Sequence, residues 1–325
     1  MRATLRNALF ATVASMLSIG AAQAADKVSV RLDWSWWPGQ TPMLVAKEKG
    51  FYKDAGIDID IQQGQGSKTT TLVVGENREP IGHASLSTAA QSISAGVPIT
   101  VVAGFWQKGP ISLICSGEDI KKPADVKGKR IGSTPTGSDG QVLPAFLRAN
   151  GLDTKDISLV NMPGDAKFAA ITSGQLDCIS GDDYYYAPQL IAQGKKVSVL
   201  RYADWGVTNL SFGIIANNAF LKEKPDVVRR FLEATRKGLD YTLANKDEAI
   251  QIFLKATGNT QPASFHKSVL EAYESSLHTN ATQGKPVGWM AAEDWDSMNK
   301  TLQQYGGMTE RKDASAYFTN DYLPK

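Results

Sequence analysis

The chain has 325 residues, with 35 Lys and Arg set against 33 Asp and Glu and a formal net charge of +2, the two signs well mixed along it. That balance leaves no electrostatic footprint for nucleic acid or for an anionic membrane surface. The length suits one large domain or two ordinary ones, and no repeat, low-complexity tract or heptad pattern points to a fibrous or disordered class.

The first residues read as an export signal. MRATLR is basic, NALFATVASMLSIGA is apolar, and Ala22-Gln23-Ala24 fits a small-x-small cleavage site, so residues 1–24 are expected to be removed. The apolar run is short for a membrane span, and no cysteine near the cleavage site could carry a lipid. A free periplasmic protein is therefore expected. Cys115 and Cys178 lie in the short apolar runs ISLICS and LDCIS and read as buried thiols in preference to a bridge, which export would also permit.

Short β-rich runs then alternate with helical ones. VSVRLDW reads as a strand, TPMLVAKEKGFYKDAG as a helix ending at Gly56, and IDIDIQQ as an alternating strand. GQGSKTTTLVVGE enters a helix, and IGHAS and ITVVAGF are strands around the helical LSTAAQSISAG. A second unit follows Gly117: strands KRIGST, ISLVNM and CISG alternate with helices QVLPAFLRANG, AKFAAITSG and APQLIAQG, before the extended KVSVLRY and LSFGIIANN. From Pro225 the chain is helical. The βαβα rhythm predicts an α/β fold with parallel sheets covered by helices, and the apolar runs ISLICS and LSFGIIA are candidates for two crossings between the units.

Several of these blocks carry a family resemblance: RLDW, PMLVAKEKGFYKDAGIDIDI, GQGS before a helix, SAGVPITVVAGF, DVKGKRIGSTPTGSDG, GQLDCISGDDYYYAPQL and RYADWGVTNLSFGIIANNAFLKEKPDVVRRFLEAT. In this order they resemble the periplasmic solute-binding proteins of ABC importers, in the branch that binds thiamine-precursor pyrimidines, riboflavin, sulfonates or nitrate. The resemblance implies a two-lobed type II periplasmic binding protein with two crossings and a helical C-terminal part. Lobe one would combine 25–113 with 213–325, and lobe two would be 114–212. It also implies a monomer that hands a small molecule to a membrane permease driven by a separate ATPase, with no nucleic-acid partner. Fungal thiamine-pyrimidine synthases share the fold, but their cysteine-rich CCCFC segment is absent here, so no enzyme activity is expected; His83, His266 and His278 lie far apart without metal-ligand spacing, and no cofactor or metal is expected.

In open α/β sheets ligands sit beyond the carboxyl ends of strands, and that rule selects candidates directly. Trp34, Trp36 and Trp37 follow the first strand, where aromatic faces can stack on a flat heterocycle, although at least one is expected to pack under the next helix. Ser67 in GQGS and Ser85 and Ser87 in HASLST precede helices and offer hydroxyls, or simply cap them. Gln107 stands near the lobe boundary, and Thr136 and Ser138 lie in STPTGSDG, where Asp139 could cap the helix and repel an anion. Tyr184, Tyr185 and Tyr186 repeat the aromatic cluster from the other unit, with one or two expected to face the cleft. Trp205 and Asn209 are candidates near the return crossing.

Across these segments arginine, the usual bidentate partner of planar oxyanions, is absent; Lys68 and Lys108 are the cations, against Asp33, Asp139, Asp182, Asp183 and Asp204. The reading is a receptor for a small flat heteroaromatic, pyrimidine-like ligand held between two lobes. The alternative is a receptor for an aliphatic sulfonate or nitrate.

Overall fold

The structure is a computed structural model that describes residues 24–117 and 119–324, so the export signal lies outside the described residues apart from Ala24. Two five-stranded sheets organise the chain. In the first, β1 (Asp26–Arg31), β2 (Ile57–Gln62), β3 (Ile81–Ser85) and β4 (Ile99–Trp106) are joined by β10 (Phe212–Asn217) in the order β2-β1-β3-β10-β4. The second holds β5 (Ile111–Ser116), β6 (Arg130–Ser133), β7 (Ser158–Asn161), β8 (Cys178–Asp182) and β9 (Val197–Arg201) in the order β7-β6-β8-β5-β9. This is the two-lobed α/β arrangement.

The sheets are mixed, where the sequence reading had them parallel. β10 runs antiparallel to both β3 and β4, and β5 runs antiparallel to both β8 and β9. Each is the strand next to a crossing, so the chain comes into that sheet from the opposite lobe. The apolar runs expected to be crossings are thus interior strands, buried nearly throughout. The chain passes between sheets in the short segments 107–110 and 206–211.

Local sequence explains the elements. In β2, Ile57, Ile59 and Ile61 alternate inward while Asp58, Asp60 and Gln62 face solvent, as an edge strand with one covered face requires. β3 is buried at every position because helices cover both of its faces. The helix expected to run to Gly56 splits into α1 (Thr41–Glu48) and α2 (Phe51–Asp54), because Gly50 takes a left-handed φ of 78° that ends the first piece. Helices α3 (Ser67–Gly75), α4 (Leu86–Ser94), α5 (Ser138–Ala149), α6 (Gly164–Thr172) and α7 (Asp183–Ala192) connect the strands.

The C-terminal part begins with α8 (Asn218–Glu223) and the long α9 (Pro225–Ala244), followed by α10 (Lys246–Thr257), α11 (Ala263–Glu274) and α12 (Ala292–Tyr305). α9 buries Val228, Phe231, Leu232 and Leu239 on one face and approaches α1 so closely that a Cβ at Gly238 would overlap the Pro42 carbonyl. α12 buries Trp295, Met298 and Leu302 and packs on both α4 and α5, so it touches both lobes.

Cys115 and Cys178 form a disulfide, which corrects the expectation of free thiols. Strand register is the reason: the two residues are direct partners on the antiparallel pair β5 and β8, so their side chains leave the sheet on the same face. The bond closes a segment with a sequence separation of 63 residues. Loop-closure entropy for such a segment is on the order of 4 kcal/mol. Replacing both cysteines by serine is expected to lower unfolding free energy by about 2–4 kcal/mol in a urea titration, and reduction of the parent protein should reproduce the loss.

Candidate functional site

The carboxyl ends of the parallel strands in both sheets face one cavity of about 280 Å³ between the lobes. β1 delivers Asp33 to Trp37, β2 delivers Gly66 and Ser67, β6 delivers Thr134 and Ser138, and β8 delivers Asp182. The antiparallel strands begin where the parallel ones end, which brings Ile111 and Phe212 to the same walls.

Aromatic rings line the cavity from both sides. Trp37 is 7% exposed, with its ring centroid 5.2 Å from Phe212 and 4.9 Å from Tyr273. Its indole Nε1 donates to Asp33 Oδ2 at 3.2 Å. Trp34 and Trp36 are half-buried, and the Trp34 ring lies so close to Gly164 at the start of α6 that no Cβ could stand there. From the second lobe come Phe168, Tyr185 and Tyr186. The Tyr186 hydroxyl donates to the Gly164 carbonyl at 3.0 Å, and Tyr185 meets Tyr186 edge to face at 5.2 Å. Burial raises the pKa of both tyrosines, so their hydroxyls stay neutral.

The buried carboxylates of the walls, Asp33, Asp139 and Asp182, are each held by groups of the protein, while Asp165 is exposed. Asp33 is 5% exposed; Gln40 Nε2 donates to its Oδ1 at 3.0 Å and His83 Nδ1 stands 2.7 Å from the same oxygen. His83 also stacks on Phe212 at 5.4 Å and so supports the wall beneath Asp33. Asp139 is held by Lys167 Nζ at 3.0 Å, and that ammonium also donates to the Ser180 carbonyl at 2.8 Å. Asp182 accepts from the Tyr184 backbone N–H at 2.8 Å and from the Tyr273 hydroxyl, which comes from α11 in the other lobe.

Of the sequence candidates, the cavity brings together Trp34, Trp36, Trp37, Ser67, Ser138, Tyr185 and Tyr186. The others stand elsewhere. Ser85 turns its hydroxyl to the first turn of α4, accepting from Thr88 N at 3.5 Å, and Ser87 donates to the Leu210 carbonyl at 3.1 Å. Gln107 is committed to the carbonyls of Leu277 and Trp289 at 3.1 and 3.0 Å. Thr136 donates to the Gln65 carbonyl at 2.8 Å and joins the lobes outside the cavity lining. Successive residues on a helix point about 100° apart, so Tyr184 faces away from its neighbours; its ring meets Tyr273 at 5.4 Å and the Arg201 guanidinium at 5.6 Å. Trp205 packs against the second-lobe core, and Asn209 is buried against Gly109 where the two crossings touch.

The charge census changes in the same way. Asp183, paired with Arg201 Nε at 2.6 Å, and Asp204 line a separate outer groove, while Lys68 and Lys108 are absent from the cavity walls. Among the described residues Lys167 is the cation on those walls, and sequence reading missed it along with Phe168, Gln189 and Gln261. A lysine in the helical run AKFAAITSG reads as solvent-facing until Asp139, 28 residues away, is placed beside it.

Contacts across the cleft hold the lobes together. Besides Asp182 with Tyr273, Gln261 Nε2 donates to Gln189 Oε1 at 2.9 Å, and the Lys68 N–H donates to the Thr136 carbonyl at 3.1 Å. Gly66, at φ 118°, leaves room for that Thr136 carbonyl, which a Cβ would overlap. Gly66→Ala is therefore expected to wedge the lobes apart, seen as a larger radius of gyration in solution scattering and a ligand affinity at least tenfold lower. Burial pushes the Asp182 carboxyl up to about 7, opposed by the Tyr273 hydroxyl bond. The raised value means that the folded form holds this proton more tightly than the unfolded chain. The associated stability is full below the ordinary carboxylate pKa near 4 and is lost as pH rises through about 7. Melting temperature should fall more steeply between about pH 4 and pH 7 in the parent than in Asp182→Asn.

With this geometry in hand, comparison with known proteins is direct. Residues 37–249 match the family described as NMT1/THI5 like. The riboflavin-binding protein RibY of Chloroflexus aurantiacus is 27% identical over 292 residues, covering 87% of this chain and 82% of its own. The formylaminopyrimidine-binding protein of Halalkalibacterium halodurans is 25% identical over 292 residues, covering 87% and 86%. A 4-amino-5-hydroxymethyl-2-methylpyrimidine phosphate synthase of Saccharomyces cerevisiae, THI13, is 27% identical over 244 residues, covering 70% of each chain. Among solved structures, the alkanesulfonate-binding protein SsuA of Xanthomonas axonopodis pv. citri bound to MOPS aligns with a TM-score of 0.69 at 16% identity, covering 91% of this chain and all of that one, a likeness of fold. With the family match extending from Trp37 into the C-terminal helices, this chain belongs to the NMT1/THI5-like family.

Proposed function

We propose that this protein is the extracytoplasmic receptor of an ABC importer and that it captures a small, flat, nitrogen-bearing heteroaromatic ring of the aminopyrimidine type. The observation that carries the reading is the opposition of Trp34, Trp36 and Trp37 in one lobe to Phe168, Tyr185 and Tyr186 in the other across a cavity of about 280 Å³. That volume is at the small end of the roughly 300–1,000 Å³ typical of ligand cavities, which favours one or two rings over a large cofactor. Aromatic pairs contribute about 0.5–1.5 kcal/mol each beyond area burial.

Electrostatics point the same way. Among the described residues Asp33, Asp139, Asp165 and Asp182 line the cavity against the single cation Lys167, which is already committed to Asp139. An uncharged ring or one bearing amino donors suits such walls; a free anion does not. The relatives named for riboflavin and formylaminopyrimidine binding support a flat nitrogen heterocycle, and those names favour capture over chemistry. The fungal synthase relative is the counterweight, but here both cysteines are used in the disulfide and His83 is used to hold Asp33.

The mechanism is capture by closure. Ligand stacks on the tryptophan wall and gains its second set of contacts when the tyrosine wall closes. It shifts the balance only by its extra affinity for the closed form. One chain supplies both walls, so the receptor is complete as a monomer, and the closed form is the one offered to a permease with its ATPase. The basic and apolar start of the chain and the disulfide, which persists in oxidising compartments, support a periplasmic location.

Intrinsic tryptophan fluorescence and thermal shift against aminopyrimidines, thiamine, riboflavin, aromatic acids, taurine and nitrate test this reading. Quenching and stabilisation by a heteroaromatic are expected, weakened about tenfold by Trp34→Ala or Tyr185→Ala, in line with a lost stacking contact, and unchanged in Tyr184→Ala. Stabilisation by taurine or nitrate alone would overturn it.

A further inference from the structure

The turn between β6 and α5 folds so that a carboxylate of the chain itself stands where an anion would bind. Asp139 lies in the first turn of α5, yet its carboxylate does not cap that helix. Its Oδ2 reaches back to accept from Ser133 Oγ at 3.2 Å, from the Thr134 backbone N–H at 3.1 Å and from Lys167 Nζ at 3.0 Å. Both charges are buried, with the Lys167 side chain 3% and the Asp139 side chain 8% exposed. Thr134 also lines the cavity at 4% exposure, and its Oγ1 is buried without a partner. The backbone is shaped around the carboxylate: a Cβ at Gly137 would meet Asp139 Oδ1 at 2.5 Å.

A backbone N–H, a hydroxyl and an ammonium converging on one oxygen, with a further unpartnered hydroxyl in the residue that supplies the N–H, form a donor set suited to an oxyanion. Here that set is neutralised from inside. We propose that Asp139 is the residue that excludes anionic ligands from this receptor: it fills an oxyanion cradle made by Ser133, Thr134 and Lys167, and shortening it turns the cleft into one that takes a small sulfonate, phosphate or carboxylate. The proposal rests on the reading of this cavity as the ligand site and assigns the residue that sets its charge selectivity. Removing one partner of a buried ion pair leaves an uncompensated charge, which is strongly destabilising. A mobile anion that binds only the folded form then restores stability in proportion to its concentration. Asp165 and Asp182 share the cavity, so small monoanions are the favoured probes.

The test is a thermal-shift and calorimetric titration with methanesulfonate, inorganic phosphate and acetate at constant ionic strength. It compares the parent chain with Asp139→Ala, Asp139→Ser and the double variant Asp139→Ala/Lys167→Met. The single variants are expected to melt lower than the parent and to recover with rising anion. Half-saturation should come at least tenfold below any response of the parent, and the double variant should not respond. The serine variant keeps a polar group in the cradle and reads the same effect if the alanine variant does not fold. An absence of anion response in the single variants, an equal response in the double variant, or parent binding as tight as that of the variants would each overturn the assignment. Heteroaromatic binding by the parent, measured in parallel, bears on the cleft reading alone, so the two failures are distinguishable.

Discussion

Everything at this site depends on one strand in each sheet running backwards. Because β10 lies antiparallel between β3 and β4, and β5 antiparallel between β8 and β9, the chain must leave and return to each sheet on its cleft side. The carboxyl ends of the parallel strands then face each other across a short gap, so that their loops meet the opposite lobe. The same reversal puts Cys115 directly beside Cys178, so the disulfide fastens the strand that comes from the crossing to the one that ends at Asp182.

Charge buried in walls of this kind has to be answered by charge or by hydrogen bonds. The protein does so for Asp33 with Gln40, His83 and Trp37, and for Asp139 with Lys167, Ser133 and Thr134. Paired groups of this kind contribute shape and rigid dipoles more than net field. The aromatic surface of the cavity is divided between the lobes, with Trp34, Trp36 and Trp37 opposite Phe168, Tyr185 and Tyr186. In the receptor we propose, binding and closure are coupled for that reason.

The rim contacts are made of small parts. Gly66 against Thr136, Gln189 with Gln261, and Asp182 with Tyr273 are each single contacts between lobes. The larger packing of α12 on both α4 and α5 stands away from the cavity walls. Such an arrangement lets the lobes hinge while each keeps its own core, since the hydrophobic clusters around β1 and β3 and around β6 and β8 are separate.

Much of this was legible in the chain. Periodicity located nearly every strand and helix, because alternation in IDIDIQQ and the apolar face of α9 are local consequences of which surface is buried. The rule that ligands meet strand ends selected the tryptophans, Ser67, Ser138 and the tyrosine cluster from residue order alone. What the sequence could not carry were relations between distant residues. Strand direction decided that ISLICS and LSFGIIA lie inside sheets and that the cysteines are partners. Helical rotation decided that Tyr185 and Tyr186 face the cavity while Tyr184 turns outward. Burial of Lys167 beside Asp139 arises from packing α6 against the β6–α5 turn, and no local pattern in either segment encodes it. Local propensity thus determined the elements and the chemical inventory of their ends; only the tertiary structure decided which of those groups face the cavity and which are already used by one another, because that depends on pairwise distances that a linear order does not contain.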